Sequence, residues 1–278
     1  MAGDNQVVIA FDLYGTLLST ESIASDLATV FGHDAAKLLA ASWRRYQLEY
    51  SWRLSCMGQS SFLLFPSQTK ESPFWPAGRQ HSTLTWGGTG LYHSFSDLTR
   101  AALQHAVAEA GLTLTPQHED KLMEAYNGLH VFPDVPGALK TVQETPNVLA
   151  LIFSNGTEEM VSASIRTSQH LNSHAALFRQ LVTVDDVKTF KPCGQTYSHL
   201  LQAVGKQSAP GDVWLVTANP FDVVGAASMG LRAAWIDRAG RGWVDRLGSV
   251  IGAQPSLIAS GVDQAVAQIL GGAASESG

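Results

Sequence analysis

Apolar residues recur along this chain in two rhythms, and the change from one to the other divides it. Between Leu39 and Met57 they fall at steps of three and four (Leu39, Trp43, Tyr46, Tyr50, Leu54, Met57), with Arg44, Arg45, Gln47 and Glu49 between them. That spacing predicts an amphipathic helix with one apolar stripe and a polar face. Two more helices are predicted before residue 127. Residues 96–111 open on Ser-Asp, continue in good helix formers and close on Gly111, while 115–126 begin with Thr-Pro, which suits the first turn of a helix.

The second rhythm holds at the start of the chain and again after Pro133. The run Val7-Val-Ile-Ala-Phe11 and residues 148–153, 181–184, 213–216 and 232–236 are short and rich in apolar or β-branched side chains. Helical stretches near 136–143, 158–168, 195–204, 221–229 and 262–270 lie between or after them. Such alternation predicts an α/β fold, with parallel strands joined by crossover helices. Residues 1–18 and 128–278 are expected to form the sheet domain. Residues 19–127 then form a helical cap domain inserted after the first strand, where it would close water out of a site at the strand ends.

One stretch follows neither rhythm. Residues 60–90 hold three Pro and four Gly with no periodicity, and structureless runs of that length are uncommon inside compact domains. The segment is read as foreign to the fold, a translated intron or gene-model error, with a disordered loop or substrate lid as the alternatives.

Composition narrows the functional classes. With 278 residues, 45% apolar and 15% charged, the chain reads as a soluble globular protein with a packed core. Its formal charge is 18 − 24 = −6, and no Lys/Arg cluster offers a footprint for nucleic acid or an anionic membrane. Two cysteines, Cys56 and Cys193, make no disulfide framework and lack metal-ligand spacing. No signal peptide or spanning helix is read at the N-terminus, so a cytoplasmic location is expected.

Candidate chemistry collects at the ends of the predicted strands. Asp12 stands where the first strand stops and the turn Leu13-Tyr14-Gly15 begins, and ligands of open α/β sheets bind beyond the carboxyl ends of strands. Alone, the motif leaves a nucleophile and a turn cap equally open. Phe153-Ser154-Asn155-Gly156 follows the second run and on its own is an ordinary turn; Phe190-Lys191-Pro192, with Tyr197 six residues on, is on its own a solvated Lys. Thr217-Ala218-Asn219-Pro220-Phe221-Asp222 follows the fourth run and brings a second carboxylate. Four weak signals that share one sheet edge are much harder to obtain by chance.

In that order, these motifs resemble the haloacid dehalogenase superfamily and, within it, the L-2-haloacid dehalogenases. The resemblance covers nearly all of the chain except about residues 60–90. It implies a Rossmann-like parallel-sheet core with a helical cap. The superfamily's phosphatases carry a second Asp two positions after the nucleophile and acidic residues near the fourth strand for magnesium; here those places hold Tyr14 and Thr217-Ala218-Asn219. Both departures favour carbon–halogen chemistry without metal or cofactor. The stretch Trp43-Arg44-Arg45-Tyr46-Gln47-Leu48-Glu49-Tyr50 is similar to the dehalogenase cap helix with its halide-binding Arg after Trp.

What the resemblance implies can be stated residue by residue. Asp12 is the nucleophile that attacks C2 of a small anionic 2-haloacid, giving an aspartyl ester with inversion. Thr16 orients Asp12, Lys191 keeps it ionised, and Tyr197 positions Lys191. Arg44 and Asn155 receive the halide, and Ser154 with the backbone N–H groups after Asp12 holds the substrate carboxylate. Asp222, oriented with Asn219, activates the hydrolytic water, and Tyr14, Leu48 and Phe221 wall the substrate's alkyl end. Thr217 stands where the family commonly has Ser, which leaves its role open. Homodimerisation is implied by resemblance alone. A phosphatase of the same fold and a non-catalytic regulatory protein remain as other classes. His170 and His174, four residues apart, read as surface or packing histidines rather than a metal pair.

Overall fold

The computed structural model describes residues 6–58 and 91–276, so the anomalous stretch at 60–90 lies outside the described residues. Six parallel strands form one sheet: β1 (Val7–Phe11), β2 (Val148–Ser154), β3 (Phe178–Thr183), β4 (Val213–Thr217), β5 (Arg232–Ile236) and β6 (Leu257–Ala259). Their order is β3-β2-β1-β4-β5-β6. β1 is central and nearly all buried, as an unbroken apolar run demands.

The strand order reverses between β1 and β4, which makes the carboxyl end of β1 a topological switch point. Register then decides what arrives there. Phe11 pairs with Ile152 on one side and Val216 on the other, so Asp12, Ser154 and Thr217 leave the sheet at one edge.

Between β1 and β2 the chain inserts α1 (Ala24–Phe31), α2 (His33–Gly58), α3 (Phe95–Glu109) and α4 (Pro116–Ala125) before α5 (Val135–Glu144) returns it to the sheet. This is the expected core with a helical insert after the first strand. α6 (Glu158–Thr167), α7 (Gln169–Asn172), α8 (Gly194–Ala203), α9 (Pro220–Ser228), α10 (Leu247–Ile251) and α11 (Val262–Glu276) complete the chain. Among the described residues no helix is long and apolar enough to cross a membrane.

Side-chain caps explain several boundaries. Ser94 and Asp97 form a reciprocal capping box, which starts α3 one residue before the predicted Ser96. Thr115 caps α4 with proline at the start, as its Thr-Pro signal predicts. β6, α1 and α10 were not anticipated. They are short elements of three, eight and five residues, which leave little periodicity to detect.

The largest correction concerns α2. Leu39, Trp43 and Tyr46 are buried as the stripe predicts, but Met57 at its end is exposed. Gln47 and Ser51, assigned to no apolar stripe, are fully buried. They lie four and eight residues after Trp43, on the same side of the helix, and α2 packs that side against α3. The Trp43 indole N–H donates to the Thr99 carbonyl of α3 at 2.7 Å.

Candidate active site

The turn after β1 is built to present Asp12. Gly15 has φ of +90°, in the region that favours glycine, and its N–H returns to the Leu18 carbonyl at 2.7 Å. The turn brings Thr16 back beneath Asp12, whose Oδ2 accepts from Thr16 Oγ1 at 2.6 Å. From the end of β4, Asn219 Nδ2 donates to the same oxygen at 2.7 Å and Thr217 Oγ1 at 3.3 Å. Oδ1 accepts from Lys191 Nζ at 3.1 Å.

Lys191 is 1% exposed, and its ammonium is fully engaged. Its three donors go to Asp12 Oδ1, to the Phe153 carbonyl at 2.8 Å and to Asp222 Oδ2 at 3.0 Å. A buried cation between two carboxylates satisfies the rule that buried charges are paired. Burial pushes the Asp222 carboxyl up, against the pull of Lys191, and Asp12 adds to the rise. Tyr197 donates to Asp222 Oδ1 at 2.8 Å, and burial pushes its own phenol well up, so it remains a donor.

Two expected contacts are arranged differently. Tyr197 holds Asp222 rather than Lys191. Asn219 turns its side chain to Asp12 Oδ2 and the Tyr14 carbonyl, while only its backbone carbonyl meets Asp222, at the start of α9. Asn219 and Tyr197 belong to the cluster, but Asn219 supports Asp12 rather than Asp222, and Tyr197 supports Asp222 rather than Lys191. Thr217 keeps a clear place: its hydroxyl reaches Asp12 and also accepts from the Asn219 N–H.

The loop after β2 meets the same edge. Asn155 Oδ1 accepts from the Lys191 N–H at 3.0 Å, which turns its Nδ2 donor the other way. Ser154 Oγ accepts from the Gly156 N–H at 3.0 Å, leaving the hydroxyl hydrogen to donate elsewhere. Gly156 matters sterically: a Cβ there would stand 2.9 Å from the Tyr14 ring. Tyr14 is buried, tilted against Phe95 and Tyr126, with its hydroxyl 3.4 Å from Ser164 Oγ. Burial pushes its phenol far up.

From the insert, α2 lowers Arg44 onto this edge. Its Nη2 donates to the Tyr14 carbonyl at 3.1 Å and approaches Asn219 Oδ1 at 3.4 Å. Arg45 instead turns outward to Glu109. Leu48 is half-buried one turn beyond Arg44, and Phe221 sets its ring edge-on to Trp52 of the same helix. His170 is exposed and His174 bonds Gln143; among the described residues no group of three acidic, His or Cys side chains is arranged to hold a metal ion.

These distances describe a carboxylate fixed by hydroxyl, amide and ammonium donors, with a second carboxylate across one lysine and a cation above. The sequence profile of haloacid dehalogenase-like hydrolases matches residues 7–230. The chain belongs to the haloacid dehalogenase-like hydrolase family. The (S)-2-haloacid dehalogenase of Pseudomonas sp. (strain YL) is 29% identical over 235 residues, covering 84% of this chain and 83% of that one. The (S)-2-haloacid dehalogenase 4A of Burkholderia cepacia is 28% identical over 237 residues, 85% of each chain. The L-2-haloacid dehalogenase from Xanthobacter autotrophicus, solved with chloropropionic acid covalently bound, superposes with a TM-score of 0.73 at 22% identity, over 96% of this chain and 99% of that one. Within the haloacid dehalogenase superfamily, then, the chain's relatives are L-2-haloacid dehalogenases.

This dehalogenase-family site has supports that motif reading missed. Arg238 Nη2 donates to the Thr16 carbonyl at 2.8 Å, and its guanidinium makes a two-point pair with Asp134 at 2.8 and 2.9 Å. Asp134 also accepts from the Val262 N–H, so the nucleophile turn is tied to the start of α11. Burial pushes the Asp134 carboxyl up, but the Arg238 and Val262 donors outweigh it and hold it below its ordinary value. A depressed carboxyl contributes stability above its unfolded pKa of about 3.9, and loses it as pH falls through the lower folded value. Asp134→Asn should therefore cost about 1–3 kcal/mol at pH 7. In urea melts from pH 7 downward the gap to wild type should close in acid; a gap unchanged at pH 3 would rule out the charged pair as its source.

Proposed function

We propose that this protein is a carbon–halide hydrolase, an (S)-2-haloacid dehalogenase that converts L-2-haloacids to D-2-hydroxyacids. Tyr14 carries the reading. Two residues after the nucleophile, where a phosphatase needs an acidic residue to move a proton, stands a buried phenol whose pKa is far too high for that task. An apolar wall suits the alkyl group of a small haloacid. The relatives bear names of the same activity, and the Xanthobacter enzyme holds chloropropionic acid covalently.

The chemistry then follows from the donors. Among the described residues Asp12 Oδ2 accepts three side-chain hydrogen bonds and Oδ1 one, so Oδ1 is the oxygen freer to attack. It bonds to C2 from the face opposite the halogen, and the C–halogen bond breaks with its electron pair leaving as halide toward Arg44 and Asn155. Ser154 and the N–H groups after Asp12 hold the substrate carboxylate. Asp222 then takes a proton from water, whose oxygen attacks the ester carbonyl of Asp12. The bond from that carbon to the C2 oxygen breaks, the departing oxygen recovers the proton from Asp222, and the D-2-hydroxyacid leaves with both carboxylates restored. The Lys191 ammonium donates to Asp12 Oδ1 and to Asp222 Oδ2 and so offsets charge on both in the dry site.

Halide release from L-2-chloropropionate and its D enantiomer, with and without chelator, tests this. The L form should release chloride and yield D-lactate at a rate that chelator does not alter. Release of phosphate from a phosphomonoester, stopped by chelator, would make the protein a phosphatase instead. Turnover of neither substrate class would make it a non-catalytic protein on the same fold.

A further inference from the structure

One of the polar residues of α2 that are buried against the sequence pattern also holds the insert's cation. Gln47 is 0% exposed, and both polar atoms of its amide are hydrogen-bonded. Oε1 accepts from Arg44 Nη1 at 2.7 Å and from the Tyr126 hydroxyl at 3.0 Å. Nε2 donates to Thr99 Oγ1 at 2.7 Å, and that hydroxyl passes its hydrogen to the Phe95 carbonyl at 2.6 Å. The amide cannot turn over, because Nε2 would then face the Arg44 N–H, which can only donate. Gln47 is thus a fixed acceptor, anchored in α3 and at the end of α4.

The acceptors around Arg44 share one property. Gln47 Oε1, the Tyr14 carbonyl and Asn219 Oδ1 are all uncharged. Among the described residues no carboxylate makes a salt bridge to Arg44, although Arg45, Arg100 and Arg238 each have one. Buried or half-buried arginines are ordinarily paired. Here the guanidinium is fixed by neutral oxygens and keeps its whole charge for something that arrives later.

We infer that Gln47 is a positioning residue: it fixes Arg44 over Asp12 through a neutral acceptor, so that the unneutralised guanidinium meets the departing halide. This rests on the dehalogenase reading above. A carboxylate at the same point would hold Arg44 equally well and cancel the charge the site needs. An apolar residue would leave the charge and lose the geometry.

Two variants separate these effects. Gln47→Met should lower kcat/KM for L-2-chloropropionate by roughly ten- to a hundredfold, the scale of losing a hydrogen bond to a charged group. The loss should fall mainly on kcat and be larger for the chloro than for the bromo substrate, since chloride is the poorer leaving group. Gln47→Glu should keep the guanidinium fixed yet lose activity and weaken inhibition by added bromide. Nitrogen NMR of the Arg44 guanidinium gives a readout free of turnover: rotation should be slow in wild type and in Gln47→Glu, and fast in Gln47→Met. Wild-type kcat/KM in either variant, or equal losses for chloride and bromide, would overturn the assignment. If wild type releases no halide at all, the functional reading fails, and the NMR comparison alone decides Gln47: equal rotation in wild type and Gln47→Met would sink it.

Discussion

Asp12→Asn should abolish halide release while leaving the protein folded. The amide is nearly the size of the carboxylate, and its carbonyl can still accept from Thr16 and Asn219, so the turn after β1 keeps its support. What disappears is the nucleophile. Losses on removing a nucleophile run to roughly four to six orders of magnitude. The measurement is chloride release, with mass spectrometry to show that the new Asn has not deamidated. In the unmodified enzyme, a single turnover in heavy-oxygen water should place label in Asp12 and leave the first hydroxyacid unlabelled. Label in that first product would mean that water attacks C2 directly, and the ester on Asp12 would have to be abandoned.

Lys191→Met should be almost as damaging to activity and more damaging to stability. Methionine fills much of the volume but leaves Asp12 and Asp222 buried on either side of the vacated ammonium position, with nothing to compensate them. Removing one partner of a buried ion pair costs about 3–5 kcal/mol. The remaining carboxylates would take up a proton to reduce the repulsion, which also disarms the nucleophile. In this variant the folded-state carboxyl pKa lies above its unfolded value, so the folded state binds more protons and loses stability as pH rises. Urea unfolding across pH 5 to 8 should show a deficit relative to wild type that grows toward alkaline pH. A deficit constant over that range would mean that Lys191 serves by packing alone.

How much of this was legible in the sequence depends on what kind of signal each part leaves. The parallel sheet was readable because its central strands β1, β2 and β4 are largely buried and so are written as short unbroken apolar runs. The four site motifs were readable because three directly follow a strand, the Lys191 motif comes a short turn after β3, and all parallel strands end at one edge. What tertiary geometry alone determines was not readable. Tyr197 and Asn219 were placed in the site, but which neighbouring charged group each would touch depends on side-chain directions that motif order does not encode. Gln47 was assigned to the polar face because it is polar. Its step of four from Trp43 was the available clue, and it reads correctly only if a hydrogen-bonded amide is allowed into a core. Arg238 and Asp134 sit in no motif and are 104 residues apart, so nothing local joins them.

The position of β1 has a consequence for how the chain is made. It is the first strand to emerge during synthesis, yet in the finished sheet it lies between β2 and β4, whose partners to it begin at Val148 and Val213. At cellular translation speeds of about 5–20 residues per second, the intervening stretch of about 200 residues keeps one edge of β1 unpaired for on the order of ten to forty seconds. During that interval an apolar strand with open hydrogen-bonding groups is a template for pairing with any neighbouring nascent chain. The helical insert, whose last helix ends at Ala125, has all its own helices made while the strand still waits for β4. Asp12 thus acquires Thr16 early and Asn219 last, so the nucleophile is completed only when the sheet is, and a ribosome that stalls before residue 213 leaves a fully made insert beside an unfinished centre.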